Sequence, residues 1–283
     1  MAPAGNALLT LEERARALAY RDSDAMLYAL AVGMGAHPRD PQEHPFCYEG
    51  RGLKVLPSFA STLASTTLLE GQGLDETQIL HVEERLQLHR PLMDYGRLLL
   101  DSRVSGLRDL GARGVLIELA LKARDAADGR AVFTVFRTVL ARADGGFGGP
   151  RAPLHSRSPV PRRAPDLTCS LSTRADQALL YRLTGDRNPI HADPASAADA
   201  GLAQPILHGL CTFGIACRAI LGTICEYDPT LIHRLEGRFA APALPGDTLE
   251  TQMWQSANVV AFRVLATERD VVVVSHGRCE LAT

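Results

Sequence analysis

Asp24–Leu30 reads DAMLYAL, and Gln177–Leu183, at an offset of 153, reads QALLYRL. Ala25, Leu27, Tyr28 and Leu30 in the first stretch meet Ala178, Leu180, Tyr181 and Leu183 in the second. A looser match follows in the same order. In His89–Leu100 and Ala240–Thr251, Pro91 meets Pro242, and Gly96 meets Gly246 with one residue of slippage. Matches in one order at nearly one offset mark a duplicated structural unit. Between the copies, Ala141–Asp166 (ARADGGFGGPRAPLHSRSPVPRRAPD) is dominated by Gly, Pro and Arg and loses all hydrophobic period, which is how a linker reads. The chain is therefore expected to hold two units, 1–142 and 167–283, joined by a linker over 143–166. At 283 residues it is long enough for two domains of ordinary size.

Each copy ends in three β-rich runs. In the first they are Arg97–Leu107, Gly114–Ala123 and Ala131–Ala141; in the second, Thr248–Trp254, Val259–Ala266 and Val271–Ala282. Runs rich in Val, Leu and Phe, broken by Gly, Asp or Asn, predict an antiparallel meander. An apolar, helix-like stretch precedes each meander: roughly Ser58–Gly71 in the first copy and Leu207–Cys225 in the second. The second carries Arg218 and three glycines, which favours a buried helix over a membrane span. The expected class is α+β, with one sheet wrapped on one helix in each copy and the two sheets paired.

Composition narrows the function classes. At 46% hydrophobic and 22% charged, the chain predicts a packed core. A net charge of −2 gives no basic field for nucleic acid or an anionic membrane. Cys47, Cys169, Cys211, Cys217, Cys225 and Cys279 include no C-x-x-C pair, so reduced thiols are expected, with no structural zinc. No basic-then-apolar leader opens the sequence, and CELAT at its end is not an S-K-L address. The expected location is cytoplasmic.

The chemistry concentrates in Tyr181–Pro194, YRLTGDRNPIHADP. Pro189 disfavours a helical Asn188, so Gly185–His191 is expected as a bent loop that turns Asp186 and His191 toward one point. Asp193 as N-cap, Pro194 at the first helical position and Gly201 beyond the end predict a short helix that pins the loop. Gly-Asp and Asn-Pro are also ordinary turn chemistry. Here, however, an acid, an amide and an imidazole fall in one copy of the duplication, and the first copy's AVGMGAHPRD lacks the series. Gly209 follows His208 and opens the apolar segment, where a helix start would present free N–H groups.

YRLTGDRNPIH resembles the motif of the (R)-specific 2-enoyl-CoA hydratases, the hydratase 2 group of MaoC-like proteins. DAMLYALAVG, FCYEGRGLKVLPSF, GGFGG and the ILHGL region have counterparts there as well. The resemblance covers most of the chain and implies a double hot-dog fold, two antiparallel sheets each wrapping a central helix. It implies reversible addition of water to a trans-2-enoyl-CoA, giving a (3R)-3-hydroxyacyl-CoA. It makes Asp186 and His191 the catalytic pair, has Asn188 hold the water or the loop, and makes the Gly209 N–H the oxyanion donor. Glu49, in CYEG, matches a required acid of the first half. Phe239 falls where the family contacts acyl-CoA through its backbone, and His81, Val82 and Ile190 are placed on the substrate side. CoA comes with the substrate, so no metal or other cofactor is expected. Acyl-CoA is the expected partner, with no nucleic acid and no membrane span, and a homodimer is compatible with the resemblance. The chain departs from the family in two places. His81-Val82-Glu83 stands where relatives have His-Gly-Glu, and Leu110 stands where they have a CoA-binding Lys, a task Arg108 or Arg113 could take over.

Two other functions share these residues. One is a (3R)-hydroxyacyl-thioester dehydratase of fatty-acid, polyketide or steroid side-chain metabolism. The other is an acyl-thioester-binding subunit without turnover, which a damaged D-x-N-P-x-H series would have indicated; the series is intact.

Overall fold

All six β-rich runs form strands, and four more join them. The computed structural model describes residues 5–75, 78–151, 154–156 and 159–282. The first unit runs α1 (Gly5–Leu8), β1 (Glu12–Tyr20), α2 (Asp22–Ala31), α3 (Phe59–Leu63), β2 (Ile79–Leu88), β3 (Gly96–Asp109), β4 (Val115–Asp125) and β5 (Ala131–Ala141). The second runs β6 (Leu167–Ser172), α4 (Gln177–Tyr181), α5 (Pro194–Asp199), α6 (Gly209–Thr223), β7 (Ile232–Phe239), β8 (Thr248–Ser256), β9 (Val259–Ala266) and β10 (Val271–Leu281). Residues 152–153 and 157–158 of the expected linker, and 1–4 and 283 at the ends of the expected units, lie outside the described residues.

The sheets of the two units pair edge to edge, as expected, into one continuous sheet. Ten strands lie in the order β1-β3-β4-β5-β2-β7-β10-β9-β8-β6, the first unit's order followed by the second's in reverse. The seam is β2 against β7, antiparallel, from Glu83 opposite Arg238 to Gln87 opposite Arg234. Glu84 there faces Gly237, its own equivalent at the offset of 153. Tyr28 and Tyr181, also equivalent at that offset, meet edge to face with ring centroids 6.1 Å apart. Residues that meet their own copies define a pseudo-two-fold axis, so the duplication read in the sequence becomes a symmetry of the molecule.

The helices are less equal than expected. Cys211–Leu221 of α6 is buried without a break, the pattern of a helix inside a core. Each fully buried Phe, Ile or Leu there contributes about 1.5–3 kcal/mol. Its single charge, Arg218, is buried against Glu43 of the first unit, with Nε donating to Oε1 at 2.7 Å; Oε2 accepts the Gly35 N–H at 2.9 Å. Gly214 lets α2 approach, since a Cβ would lie 2.6 Å from Val32 and 2.7 Å from the Tyr28 hydroxyl. In the first unit, the helix expected over Ser58–Gly71 is cut to the five residues of α3. Ser65, Thr66 and Thr67 follow it, poor helix formers whose hydroxyls compete for the backbone. The Thr66 hydroxyl accepts the Leu68 N–H at 3.2 Å.

The GGFGG run has a local task. The buried Asp109 carboxylate at the end of β3 accepts N–H bonds from Gly111, Gly146, Gly148 and Gly149. These bonds hold its carboxyl below the usual range, the Gly146 bond first. The glycines let the backbone wrap that closely; a Cβ on Gly145 would lie 2.2 Å from the Gly111 carbonyl oxygen.

Candidate active site

The Asp186 loop is built by short-range hydrogen bonds. Gly185, at φ 132°, ends the turn after α4 in a conformation that favours glycine. The Asp186 Oδ1 accepts the Asn188 N–H at 3.0 Å, and the Asn188 Oδ1 accepts the Ile190 N–H at 3.2 Å. Asn188 is extended and caps a 3-10 turn, Pro189–His191. The expected pin is present: Asp193 caps α5 by accepting from the Ala195 and Ser196 N–H groups. Asp186 is exposed and His191 is buried.

The histidine tautomers follow from their carbonyl partners. The His191 Nδ1–H donates to the Ile206 carbonyl at 2.9 Å, which leaves Nε2 as a bare acceptor. The His208 Nε2–H donates to the Asp186 carbonyl at 3.2 Å, which leaves Nδ1 bare; that atom is buried with no partner. The two rings stack with centroids 3.7 Å apart, and Tyr181 packs at 4.8 Å on His208. Burial lowers the pKa of His191, partly offset by the Ile206 bond and Asp186. Burial, and then His191, push His208 down to about 4. Both rings are neutral at neutral pH.

Gly209 is the first residue of α6, where helical geometry leaves N–H groups unbonded and the dipole positive. The Phe239 ring covers it, 3.2 Å from where a Cβ would stand. His81 meets Phe239 edge-on at 4.8 Å. The His81 Nε2 lies 3.1 Å from the Glu83 carbonyl and 2.9 Å from the Glu84 Oε2. Glu84 is wholly buried and takes both Nε (3.0 Å) and a terminal nitrogen (2.9 Å) of Arg137, whose other bond goes to the Ser61 carbonyl. Burial alone would raise the Glu84 pKa, but Arg137 and His81 outweigh it and hold it at about 2. Burial works against the Arg137 charge, but Glu84 outweighs it and raises its pKa.

The structure thus gathers Asp186, Asn188, His191, Gly209, Phe239 and His81. Ile190 is half-buried in the loop. Val82 is the extra residue of a bulge where β2 pairs β5 between His81 and Glu83, and the residue that departs from the family pattern stands there. Glu49 is exposed at the head of a 3-10 turn, and its carboxylate makes no hydrogen bond or ion pair among the described residues. Sequence reasoning missed His208, Tyr181, Glu84 and Arg137. His208 was visible beside Gly209 in ILHGL, and Tyr181 read as a repeat match. Nothing in the sequence places Glu84 or Arg137 near the loop. Asp186, His191 and His208 each offer one donor atom within 4.8 Å of the others. Donors held about 2.1 Å from one first-row ion lie about 3.4 Å apart, so this set would have to close to hold one.

Comparisons with known proteins converge. Residues 156–276 match the MaoC like domain, and residues 18–143 match the MFE-2 hydratase 2 N-terminal domain. An enoyl-CoA hydratase, ChsH3, of Mycobacterium tuberculosis is 36% identical over 265 residues, covering 91% of each chain. A peroxisomal enoyl-CoA hydratase 2 of Arabidopsis thaliana is 35% identical over 90% of this chain and 88% of its own. The crystal structure of a MaoC-like dehydratase from Phytophthora capsici superposes with a TM-score of 0.87 at 28% identity, over 98% of this chain and 97% of that one.

Proposed function

The chain belongs to the MaoC-like, hydratase 2 family, and from that premise we propose that it reversibly hydrates a trans-2-enoyl-CoA to a (3R)-3-hydroxyacyl-CoA. The observation that carries the reading is the His191 Nε2, left bare because Nδ1–H is committed to Ile206, on a ring that has a nitrogen within 4.8 Å of an Asp186 carboxylate oxygen. Two acceptors on one water orient it, and the neutral imidazole takes its proton as the oxygen attacks C3. Electron density moves from the C2–C3 double bond onto the thioester oxygen. The Gly209 N–H, at the positive end of α6, faces that developing charge. A proton then returns to C2 from the Asp186–His191 pair, so one proton is taken up and one delivered. The sum is addition of water with no net redox change, and no redox cofactor is called for; CoA enters as the substrate's handle. The same steps in reverse dehydrate a 3-hydroxyacyl thioester.

The test is crotonyl-CoA hydration, followed by loss of the enoyl-thioester absorbance, with product stereochemistry determined. Asp186→Asn and His191→Ala should each lower kcat by about 10²- to 10⁴-fold with the fold intact. A double variant with full turnover overturns the reading.

A further inference from the structure

We propose that His208 is a positioning residue of the hydration site: its Nε2–H holds the Asp186 carbonyl while its ring face holds His191. One imidazole thereby sets both catalytic side chains against the Gly209 N–H. This inference rests on the functional reading above.

Two side chains clasp the loop to the strand of chain that leads into α6. His191 reaches forward to the Ile206 carbonyl at 2.9 Å, and His208 reaches back to the Asp186 carbonyl at 3.2 Å. The clasp closes across α5, which is pinned by its own cap. The His208 bond is also the one hydrogen bond that the Asp186 main chain makes among the described residues. Asp186 is exposed, so burial does little to hold its main chain in place. The His208 ring is 1% exposed and stacks on His191 at 3.7 Å with planes 26° apart, so His191 cannot swing toward α6. A residue that only filled space would carry no polar nitrogens. The buried, unpartnered Nδ1 is a cost that an aromatic hydrocarbon in this slot would avoid. His208 is also the residue before Gly209 and the N-cap of α6. The clasp therefore fixes the loop relative to the same backbone that presents the oxyanion donor.

Three variants separate donor from filler. His208→Phe keeps a stacking ring without the N–H, His208→Gln keeps an N–H donor, and His208→Ala keeps neither. Phe and Ala should each lower kcat for crotonyl-CoA about 100-fold with KM changed less than about threefold, the signature of misplaced reacting groups. Gln should recover kcat to within about tenfold of wild type. Wild-type kcat in His208→Phe, or a His208→Gln enzyme as slow as His208→Ala, overturns the inference. Amide exchange at Asn188 and Ile190 reads the clasp without substrate and without turnover. It should quicken by about tenfold or more in His208→Phe, and unchanged exchange also overturns the inference. A wild-type chain that hydrates no enoyl-CoA would sink the functional reading and leave this readout standing.

Discussion

His191 can accept a proton because its other nitrogen is committed to Ile206, and because burial lowers its pKa and so favours the neutral ring. Protonation disables it as a base. Its pKa lies below the ordinary 6.5, so the acid-side decline of kcat/KM for an enoyl-CoA should be centred below pH 6.5. A pH profile of the free enzyme's limb checks this, and a decline centred at or above 6.5 contradicts it. At this scale the sequence was most informative where the chemistry is contiguous. Asp186, Asn188 and His191 lie within six residues, and the bends between them are dictated by Gly185 and Pro189. Gly209 was legible as a helix start. Glu49 was not: FCYEG fixes a residue type, but the direction of an exposed side chain depends on packing that no local pattern encodes. His208 escaped because a buried imidazole and a solvated one look alike in a string of letters.

At the scale of elements, β2 carries the first unit's contribution to the site. Glu84 is wholly buried and paired to Arg137 across β2 and β5. Glu84→Gln would leave the half-buried Arg137 guanidinium without its counter-charge and should cost about 2–4 kcal/mol, read as a lower urea midpoint. The folded pKa of Glu84, about 2, lies below its ordinary 4.5. The stability from this pairing is therefore complete above pH 4.5 and is lost as pH falls through about 2. Helix α6 makes a second demand. Gly214→Ala gains helix propensity but forces a methyl into Val32 and the Tyr28 hydroxyl, and overpacking of that kind costs about 1–3 kcal/mol; thermal unfolding should show a net loss. The meander strands were legible because hydrophobic runs and their breaks are local. The shortening of α3 was not, because Ala60, Ala64 and Leu68 keep a helical i,i+4 spacing across a Ser/Thr run that denies the helix.

The whole molecule is one sheet carrying two sets of helices, so the halves should not melt apart. Trp254, the single tryptophan, lies in the second unit. Its fluorescence and the far-UV circular dichroism of both units should change together in urea, as one two-state transition requires. Separate midpoints would show that the β2–β7 seam does not couple the halves. The sequence announced a duplication, yet it could not announce the seam. Edge pairing of β2 with β7 is a long-range choice, with Gln87 and Arg234 far apart in the chain. That seam has a historical meaning. In an assembly of two identical chains, every residue on the two-fold axis faces itself, so a glutamate there confronts a glutamate and a glycine a glycine. A tandem chain escapes that rule. Glu84 faces Gly237, a pairing that no homodimer can inherit. The linker therefore gave each copy its own mutational future: one could collect an acid, an amide and an imidazole while the other turned the same positions to different use.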